Sequence, residues 1–456
     1  MTTIADYAGK SAVDNVRAAI DAARNSENFH ALLSLTEERA LERAARVDSG
    51  EITGRLAGVP FVAKDNFLTF GSTTTAASHI LEDFHAPLQA TAIEKLENEG
   101  AICIGKANLD AFAHGGSTEN SAFGPTLNSV DQTRVAGGSS GGSAVVTALG
   151  IVPFALGTDT GGSIRQPASF NGVIGVKPTY GTVSRYGVVA MASSTDTIGC
   201  FTTNAADAEL VMDIMAGQDT SDMTTLPDFF TPTDAKAQQK IGIIKESLTD
   251  DVDPQVVTRI NEYVATLKDA GHVVEEVSLP MLKYALAIYY IIVPAEISSN
   301  LARYDGVRYG KRADASTLTG LYGQSRDKGF VTENKRRIMI GSYVLSSGYF
   351  DAYYLQAQKA RTLLINEFNK LFETYDVLIS PVSPTPAFKL GENVADPVKM
   401  YLEDIMSVPP SLAGLPALSV PAGKTNDGLP IGVQLIGQRR SDAQLLALVR
   451  SLEGEK

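Results

Sequence analysis

The sequence predicts an α/β protein in which a mostly parallel sheet carries helices on both faces. The first observation is residues 240–280, where two short apolar runs flank an amphipathic helix and complete a strand–helix–strand unit. The second is the alternation of apolar runs with helical patterns from Gly54 to Gly157. Repeated units of this kind favour parallel strands joined by crossover helices.

Two amphipathic helices come first, between Ser11 and about Val47, because apolar residues recur there every three or four positions. We expect them to form a helical cap within residues 1–50. The alternation after Gly54 then predicts five elements. In chain order they are a strand at 55–65, a helix at 90–100, a strand at 101–106, a helix at 143–150 and a strand at 151–157.

Apolar runs typical of strands continue towards the C-terminus, at 377–381, 416–423 and 431–437. Because they extend the same pattern, we expect residues 1–456 to form a single domain. The stretch 219–236 is polar and contains two prolines, which predicts a surface loop.

The composition is that of a globular protein, with 44% hydrophobic and 20% charged residues. A formal net charge of −13 argues against this chain as the main grip on a nucleic acid, since that affinity comes from clustered Lys and Arg. Cys103 and Cys200 are too few for a disulfide framework or a zinc site, so we expect a reducing cytoplasm and no metal. Without a signal-peptide pattern or about 18 uninterrupted apolar residues, no export or membrane span is expected.

Residues 135–150 read VAGGSSGGSAVVTALG, a serine- and glycine-rich segment followed by a helical run. Residues 138–142 match the G-x-S-x-G pattern of a nucleophile elbow. That interpretation needs a later acid and a later histidine, and the one histidine after Ser140 is His272, which opens a predicted strand. A phosphate-binding loop fits less well, because Ser143 stands where the Walker pattern needs lysine.

A buried lysine offers another way to activate a serine, provided that burial removes its proton near neutral pH. Lys64 directly follows an apolar run, where a charged ammonium would be poorly solvated. The ordinary interpretation of such a residue is a strand-end lysine that points to solvent. A third segment, GTDTGGSIRQPASFNGVIGVKPTYG at 157–181, favours the catalytic interpretation when it is taken with the other two.

Lys64 in KDN, Ser139 in GGSSGGS 75 positions later and Ser163 in DTGGSIRQP a further 24 positions on resemble the amidase signature family. The similarity runs from about Gly58 to Leu452. It implies the amidase signature fold, with a large twisted mixed sheet covered by helices on both faces. It also implies a Ser, cis-Ser, Lys triad, in which Ser163 is the nucleophile, Ser139 relays its proton and neutral Lys64 accepts it.

The same resemblance implies an oxyanion hole next to the nucleophile. The two glycines before Ser163 allow consecutive backbone N–H groups to converge on one point, and we expect Thr160, Gly161, Gly162 and Ser163 to form the hole. Each donor of this kind stabilises a transition state by about 2.7 to 4 kcal/mol.

Five further stretches resemble the glutamine-hydrolysing subunits of tRNA-dependent amidotransferases. They lie at 115–128, 177–199, 297–310, 335–361 and 401–423. The resemblance implies that glutamine acylates Ser163, that ammonia leaves and that water hydrolyses the glutamyl ester. It implies a heterotrimer with subunits B and C, in which a partner holds the mischarged tRNA and uses ATP and Mg²⁺, whereas this chain needs no cofactor.

The choice between glutamyl-tRNA and aspartyl-tRNA would then lie mainly with the partner and the tRNA. A stand-alone amidase signature hydrolase acting on a small amide is the alternative function. Such an enzyme would lack groups for the two charges of a free amino acid, and it would work without partners.

Free glutamine carries a carboxylate and an ammonium on its Cα, so a selective pocket needs one fixed cation and one anion. The resemblance assigns the carboxylate to Arg337 and the ammonium to Asp404, with Tyr289 nearby. Gly115 and Gly116 are expected to line the same pocket.

Three positions leave details of this pocket open. Arg336 stands beside Arg337 and suits the carboxylate equally well. His114 occupies a position where the family commonly has an apolar residue, and Cys200 follows Gly199 where proline is usual. These departures concern the pocket wall and partner docking rather than the triad.

Overall fold

The computed structural model describes residues 2–227 and 229–454, whose strands form one sheet. The strands are β1 Leu32–Leu35, β2 Pro60–Lys64, β3 Ile102–Ala107, β4 Phe154–Asp159, β5 Ile174–Lys177, β6 Thr197–Thr202, β7 Lys240–Ile244, β8 Val273–Val277, β9 Val377–Pro381, β10 Ala417–Lys424 and β11 Pro430–Gly437. Their order in space is β1-β3-β2-β4-β6-β5-β10-β11-β9-β7-β8.

Helices surround this sheet. The α-helices are α1 Ala12–Asn25, α2 Glu37–Asp48, α3 Thr91–Asn98, α4 Gly141–Ala148, α5 Arg165–Asn171, α6 Ala205–Met215, α7 Pro254–Asp269, α8 Leu282–Asn300, α9 Leu318–Gly329, α10 Thr332–Val344, α11 Leu355–Phe372, α12 Pro397–Leu402, α13 Val408–Leu412 and α14 Asp442–Gly454. Single 3₁₀ turns lie at Ile4–Tyr7, Glu27–Phe29, His79–Leu81, Ala111–Ala113, Lys245–Ser247 and Leu301–Arg303, and a π-helical turn lies at Phe350–Tyr354.

The α/β class and the large mixed sheet are confirmed, but the expected majority of parallel pairs is wrong. Among the described strands, parallel pairing joins β2 to β3 and β4, and β7 to β8 and β9. The other six pairings are antiparallel. The parallel strands are those of the strand–helix–strand units that the sequence reveals. The centre instead holds β5, β6 and the β10–β11 hairpin. The short connection between β10 and β11 imposes antiparallel pairing, and β5 and β6 are joined by residues 178–196 without a crossover helix.

Helices cover both faces of the sheet, as predicted. Successive strand residues point to opposite faces. On β2, Phe61 and Ala63 join an apolar cluster with α3, α6, α7 and α14, whereas Val62 joins a second cluster with α1, α2 and α4. On β9, Ile379 belongs to the first cluster, and Leu378 faces a third that contains α8, α11 and α13.

The N-terminal helices α1 and α2 lie where the sequence predicts two amphipathic helices, and they pack against each other. The Ser11 hydroxyl caps α1 by accepting from the Asp14 N–H. Asp48 ends α2 and accepts from the Ala12 N–H at 2.6 Å and from the Ser11 hydroxyl at 2.8 Å. A carboxylate at the last position of α2 thus fixes the start of α1.

The chain between α6 and β7 contains no helix or strand in its described residues. The predicted surface loop 219–236 lies in this segment, and Asp228 within that loop is outside the described residues. The single domain over 1–456 stays a prediction. The strand order favours it, because strands from both ends of the chain share one sheet.

One segment of the described chain, Leu282–Arg303, is long and apolar enough to cross a membrane by length and composition alone. Half of it is buried inside the protein. It consists of α8 and the turn that follows, and α8 packs against α10, α11 and α13. These contacts are those of a core helix.

The carboxyl ends of the parallel neighbours β2 and β4 meet at one edge of the sheet. Lys64 is the last residue of β2, and Asp159 is the last residue of β4. The turn after β4 carries Ser163, and Ser139 precedes α4. The topology therefore collects all three residues of the predicted triad at one place.

Candidate active site

Lys64 lies in a fully buried pocket of hydroxyl groups. Its Nζ is 2.8 Å from Ser139 Oγ, 2.8 Å from Ser140 Oγ and 3.0 Å from Thr158 Oγ1. The surface-lysine interpretation is therefore wrong, since the side chain has no exposed surface.

Burial lowers the pKa of Lys64 to about 7 by removing water from the ammonium. The nearby carboxylates Asp110, Asp159 and Asp196 oppose this effect, but desolvation is the larger influence. An appreciable fraction of Lys64 is consequently neutral at pH 7, and a neutral amine can accept a proton.

The three hydroxyls around Lys64 differ in where their own protons go. Ser140 donates to the Thr158 carbonyl at 3.2 Å, so its oxygen accepts from Lys64. Thr158 Oγ1 also accepts from Asn66 Nδ2 at 3.1 Å. The Ser139 hydroxyl has Lys64 as its one hydrogen-bond partner in the described structure, which leaves its proton free for exchange. The Gly138–Ser139 peptide is cis, as the family resemblance implies.

Ser163 lies in the turn between β4 and α5 and is 7% exposed. Its carbonyl accepts from the Ser140 N–H at 3.1 Å, which fixes the Ser163 turn beside the Ser139–Ser140 segment. Within the described chain no hydrogen bond joins the Ser163 and Ser139 hydroxyls. Catalytic hydrogen bonds often shorten when substrate binds, so the lack of a hydrogen bond between these two hydroxyls is compatible with a proton relay.

A buried ion pair shapes the Ser163 turn. Asp159 accepts from Arg165 Nη2 at 2.8 Å and from Arg165 Nε at 3.0 Å, and both side chains are fully buried. The same carboxylate accepts from the Gly162 N–H at 2.9 Å and the Ile164 N–H at 3.1 Å. Burial is the largest single influence on Asp159 and raises its pKa, but the charge and hydrogen bonds of Arg165, the charge of Lys177 and the Ile164 N–H together hold the pKa below its usual value.

This ion pair should be essential for stability. We expect Asp159→Asn to lower the free energy of unfolding by about 3–5 kcal/mol, because Arg165 then stays buried without a counter-charge. The exposed pair Arg46–Glu51 provides the control, and Glu51→Gln should cost less than about 1 kcal/mol. Denaturant titration measures both. Equal effects of the two substitutions would contradict the role given to Asp159.

The oxyanion hole stays a prediction, and one of its four expected N–H donors is engaged within the protein. The Gly162 N–H donates to Asp159 and is not free to bind a substrate oxygen. The N–H groups of Gly161 and Ser163 make no hydrogen bond within the described residues, so they remain available. Gly162 has φ +142°, and a Cβ there would lie 2.2 Å from Ser407 Oγ. The turn therefore requires glycine at 162.

Arg337 meets the requirements for a fixed cation. It is 3% exposed, and its Nε donates to Glu333 Oε1 at 2.8 Å. The guanidinium lies 5.3 Å from the Tyr290 ring centroid and 5.5 Å from that of Tyr401. Its terminal nitrogens donate to no other described residue, which leaves a two-pronged donor for a carboxylate. Arg336 also pairs with Glu333, but its side chain is 39% exposed.

Asp404 and Tyr289 lie on the same side of the site. Asp404 Oδ2 accepts from the Tyr290 hydroxyl at 3.1 Å, and burial raises the pKa of Asp404 to about 7. The Tyr289 hydroxyl lies against Gly161 in the Ser163 turn, since a Cβ on Gly161 would be 2.6 Å from that hydroxyl. Tyr290 joins the two residues, because its ring contacts Tyr289 and its hydroxyl donates to Asp404.

The segment 114–116 forms another wall. Gly115 and Arg337 both line a cavity of about 40 Å³. A Cβ on Gly115 would lie 2.3 Å from Asp110 Cγ, so glycine is required there for packing. His114 is buried, and burial lowers the pKa of its imidazole well below the usual value. Nδ1 of the neutral His114 ring lies 2.7 Å from Asn334 Nδ2. Asn334 is on α10, one turn before Arg337.

The remaining departure lies in the sheet. Cys200 is buried in β6, opposite Leu156 of β4. Burial raises the pKa of its thiol far above the usual range, so the sulfur stays protonated. Cys103 is likewise buried and unpaired. Neither cysteine reaches the site, and the described residues contain no cluster of His, Cys, Asp and Glu that suits a metal ion.

Several contacts were not found from the sequence. They are those of Ser140, Thr158, Asn66, Asp159, Arg165, Tyr290, Glu333 and Gln166. Ser140 contacts Lys64 as closely as Ser139 does. The one signal in the sequence that could have indicated these residues is their position inside or beside the segments that carry the family resemblance.

Comparisons with known proteins agree with this geometry. The Amidase family matches residues 14–446. The A subunit of glutamyl-tRNA(Gln) amidotransferase from Microcystis aeruginosa is 51% identical over 431 residues, which cover 92% of this chain and 89% of the relative. The protein of the same name from Lactiplantibacillus plantarum is 52% identical over 416 residues, covering 90% and 85%.

A solved structure resembles the whole chain. The crystal structure of the A subunit of glutamyl-tRNA(Gln) amidotransferase from Thermotoga maritima has a TM-score of 0.83 and 39% sequence identity. The match covers 100% of this chain and 95% of the Thermotoga chain. With the family match over nearly the full length, these findings show that the chain belongs to the amidase signature family.

Proposed function

We propose that this chain hydrolyses glutamine and supplies the ammonia to a tRNA-dependent amidotransferase. The observation that carries the proposal is the Lys64 amine, fully buried and 2.8 Å from the Ser139 hydroxyl beside the Ser163 turn. The names of the relatives support the biological setting. The net charge of −13 supports a division of labour in which another chain holds the RNA.

In the proposed acylation step, Ser163 Oγ attacks the side-chain carbonyl carbon of glutamine. Its proton moves to Ser139 Oγ, and the Ser139 proton moves to neutral Lys64. The developing oxyanion accepts from the free N–H groups of Gly161 and Ser163. The tetrahedral intermediate then collapses, the relay returns the proton to the departing nitrogen, and ammonia leaves.

Deacylation uses the same groups in reverse. Water attacks the glutamyl ester on Ser163, the relay takes its proton, and glutamate is released with Ser163 regenerated. No metal or redox cofactor is needed for either step. The chain therefore needs only its own residues for the hydrolysis.

Selection of glutamine follows from the charges in the pocket. Arg337 would bind the α-carboxylate through its terminal nitrogens, and Asp404 would bind the α-ammonium once it is ionised. Tyr289 and the Gly115–Gly116 segment would enclose the rest of the substrate. Because the pKa of Asp404 is about 7 in the free protein, the side chain ionises as pH rises through that value and can then bind the ammonium.

The proposal also includes the partners of this chain. We expect partner subunits B and C in a heterotrimer, with ATP, Mg²⁺ and the mischarged tRNA held mainly by the partner, in the cytoplasm. The exposed aromatic residues Tyr343, Tyr349 and Tyr353, which pack on one another, provide apolar surface compatible with contact to another chain.

Co-expression with the neighbouring genes tests this function. We expect a stable complex that releases ammonia from glutamine. With ATP and mischarged tRNA present, we expect glutamate to form without a matching amount of free ammonia, because the ammonia is then consumed. Ammonia and glutamate are measured with and without those additions. A chain that hydrolyses small amides but not glutamine, with no associated partner, would be a stand-alone amidase and would contradict the proposal.

A further inference from the structure

Gln166 presents a buried amide group that is only half satisfied. The residue is 1% exposed and lies on α5, three positions after Ser163. Its Oε1 accepts from the Gly138 N–H at 3.0 Å, but its Nε2 has no hydrogen-bond partner among the described residues. A buried N–H group without a partner is unfavourable, so it needs a physical explanation.

The orientation of this amide is fixed by its neighbour. The Gly138 N–H can only donate, so the atom that faces it must be the oxygen of Gln166. Rotating the amide by 180° would set two donors against each other. The NH₂ group therefore has to point away from Gly138.

The NH₂ group lies beside Gly116, one of the residues assigned to the proposed amino-acid pocket. A methyl group built on Gly116 would lie 3.6 Å from Gln166 Nε2 and 3.5 Å from Asp404 Oδ1, without a close contact. Gly116 thus leaves space between a free amide donor and a carboxylate oxygen. Asp404 Oδ2 is already occupied by the Tyr290 hydroxyl, whereas Oδ1 has no partner in the described structure.

The chemistry of these two groups defines what fits between them. Asp404 Oδ1 would accept from the α-ammonium of an amino acid, and the α-carboxylate is attached to the same carbon. A donor-only group beside Asp404 is therefore in position to meet a carboxylate oxygen. The side-chain carbonyl of glutamine is directed elsewhere, towards the N–H groups of Gly161 and Ser163.

We propose that Gln166 is a substrate-binding and positioning residue, whose Nε2 donates to the α-carboxylate of glutamine while its Oε1 holds the Gly138 N–H. The proposal rests on the proposed glutaminase function and deepens it. Through one amide, occupancy of the amino-acid pocket is linked to the Gly137–Gly138 peptide, which directly precedes the peptide of Ser139. Gln166 would thereby help to align the proton relay when an α-amino acid amide, rather than a simple amide, is bound.

Two variants separate the two ends of the amide. Gln166→Glu keeps an oxygen for the Gly138 N–H but removes the donor, so KM for glutamine should rise about tenfold or more with little change in kcat. Gln166→Met removes both contacts, so kcat should fall as well. Gln324→Met, an exposed glutamine on α9, is the control and should leave both constants unchanged.

Two analogues of glutamine identify the group that Gln166 binds. Glutaramic acid lacks the α-amino group, and 4-aminobutanamide lacks the α-carboxylate. In the complex with its co-purified subunits, each analogue is assayed as a substrate and as a competitive inhibitor of glutamine hydrolysis. Gln166→Glu should weaken glutaramic acid about as much as glutamine and should change 4-aminobutanamide by less than about threefold.

Equal weakening of all three compounds, or an unchanged KM for glutamine, would overturn this inference. Failure of the proposed function looks different, because the unsubstituted enzyme would then hydrolyse 4-aminobutanamide but not glutamine. If Gln166→Met does not fold, Gln166→Glu and the analogues still decide the question. The KM-against-kcat split distinguishes substrate binding from a general structural defect.

Discussion

Ser163→Ala should reduce glutamine hydrolysis by about 10⁴-fold or more and leave the fold intact. Without Oγ there is no nucleophile to form the glutamyl ester, and only binding and the oxyanion donors remain. The loss of stability should be small, because the Ser163 hydroxyl makes no hydrogen bond within the described residues. Ammonia release from glutamine measures the activity, and circular dichroism measures the fold.

Ser143→Ala is the matched control for that experiment. Ser143 belongs to the same serine- and glycine-rich segment, but its hydroxyl donates to the Leu156 carbonyl at 2.8 Å and does not contact Lys64. We expect this variant to keep activity within about tenfold of the unsubstituted enzyme, since it loses one structural hydrogen bond. Full activity in Ser163→Ala, or equal losses in both variants, would contradict the assignment of the nucleophile.

Lys64→Met should also abolish turnover, by about 10⁴-fold or more. The methionine fills the space of the lysine but cannot accept the proton that the relay delivers. Lys64→Arg should be as inactive, because a guanidinium keeps its proton at every accessible pH. The pair of variants therefore separates the need for a base from the need for a positive charge.

Lys177 offers a control within the same protein. It is buried like Lys64, and burial likewise lowers the pKa of its ammonium to about 7. Its Nζ donates to the carbonyls of Pro178 and Leu415 and contacts no hydroxyl. Lys177→Met should lower stability and leave kcat within about tenfold, since no relay ends there. An active Lys64→Arg enzyme would contradict the role of a neutral amine.

The sequence was sufficient for the α/β fold class, and it located the three segments that meet around Lys64, for identifiable reasons. The unit at 240–280 shows both the strand and the helix periodicity, and the structure forms β7, α7 and β8 there. Lys64, Ser139 and Ser163 lie in three separate segments, so their mutual spacing was informative. Patterns that repeat along the chain, or that combine several segments, can be recognised from the sequence alone.

The centre of the sheet and the shell around the site were harder to predict. β5 and β6 are short strands without a helix between them, so no local pattern reveals their antiparallel pairing. Ser140 appeared interchangeable with its neighbours, because its role depends on where β2 places Lys64. Gln166 acts through Gly138, which is distant in sequence, and Asp159 through an irregular turn, and neither kind of contact leaves a periodic pattern.

The pH dependence of acylation tests the central claim most directly. In a single-turnover measurement of ammonia release at saturating glutamine, the rate should rise with pH through about 7 and then level off, because only neutral Lys64 accepts the proton. Protonation below that pH should slow the rate by about tenfold per pH unit. A rate that is constant from about pH 5.5 to 8.5, or that falls as pH rises through 7, would contradict a catalytic neutral lysine.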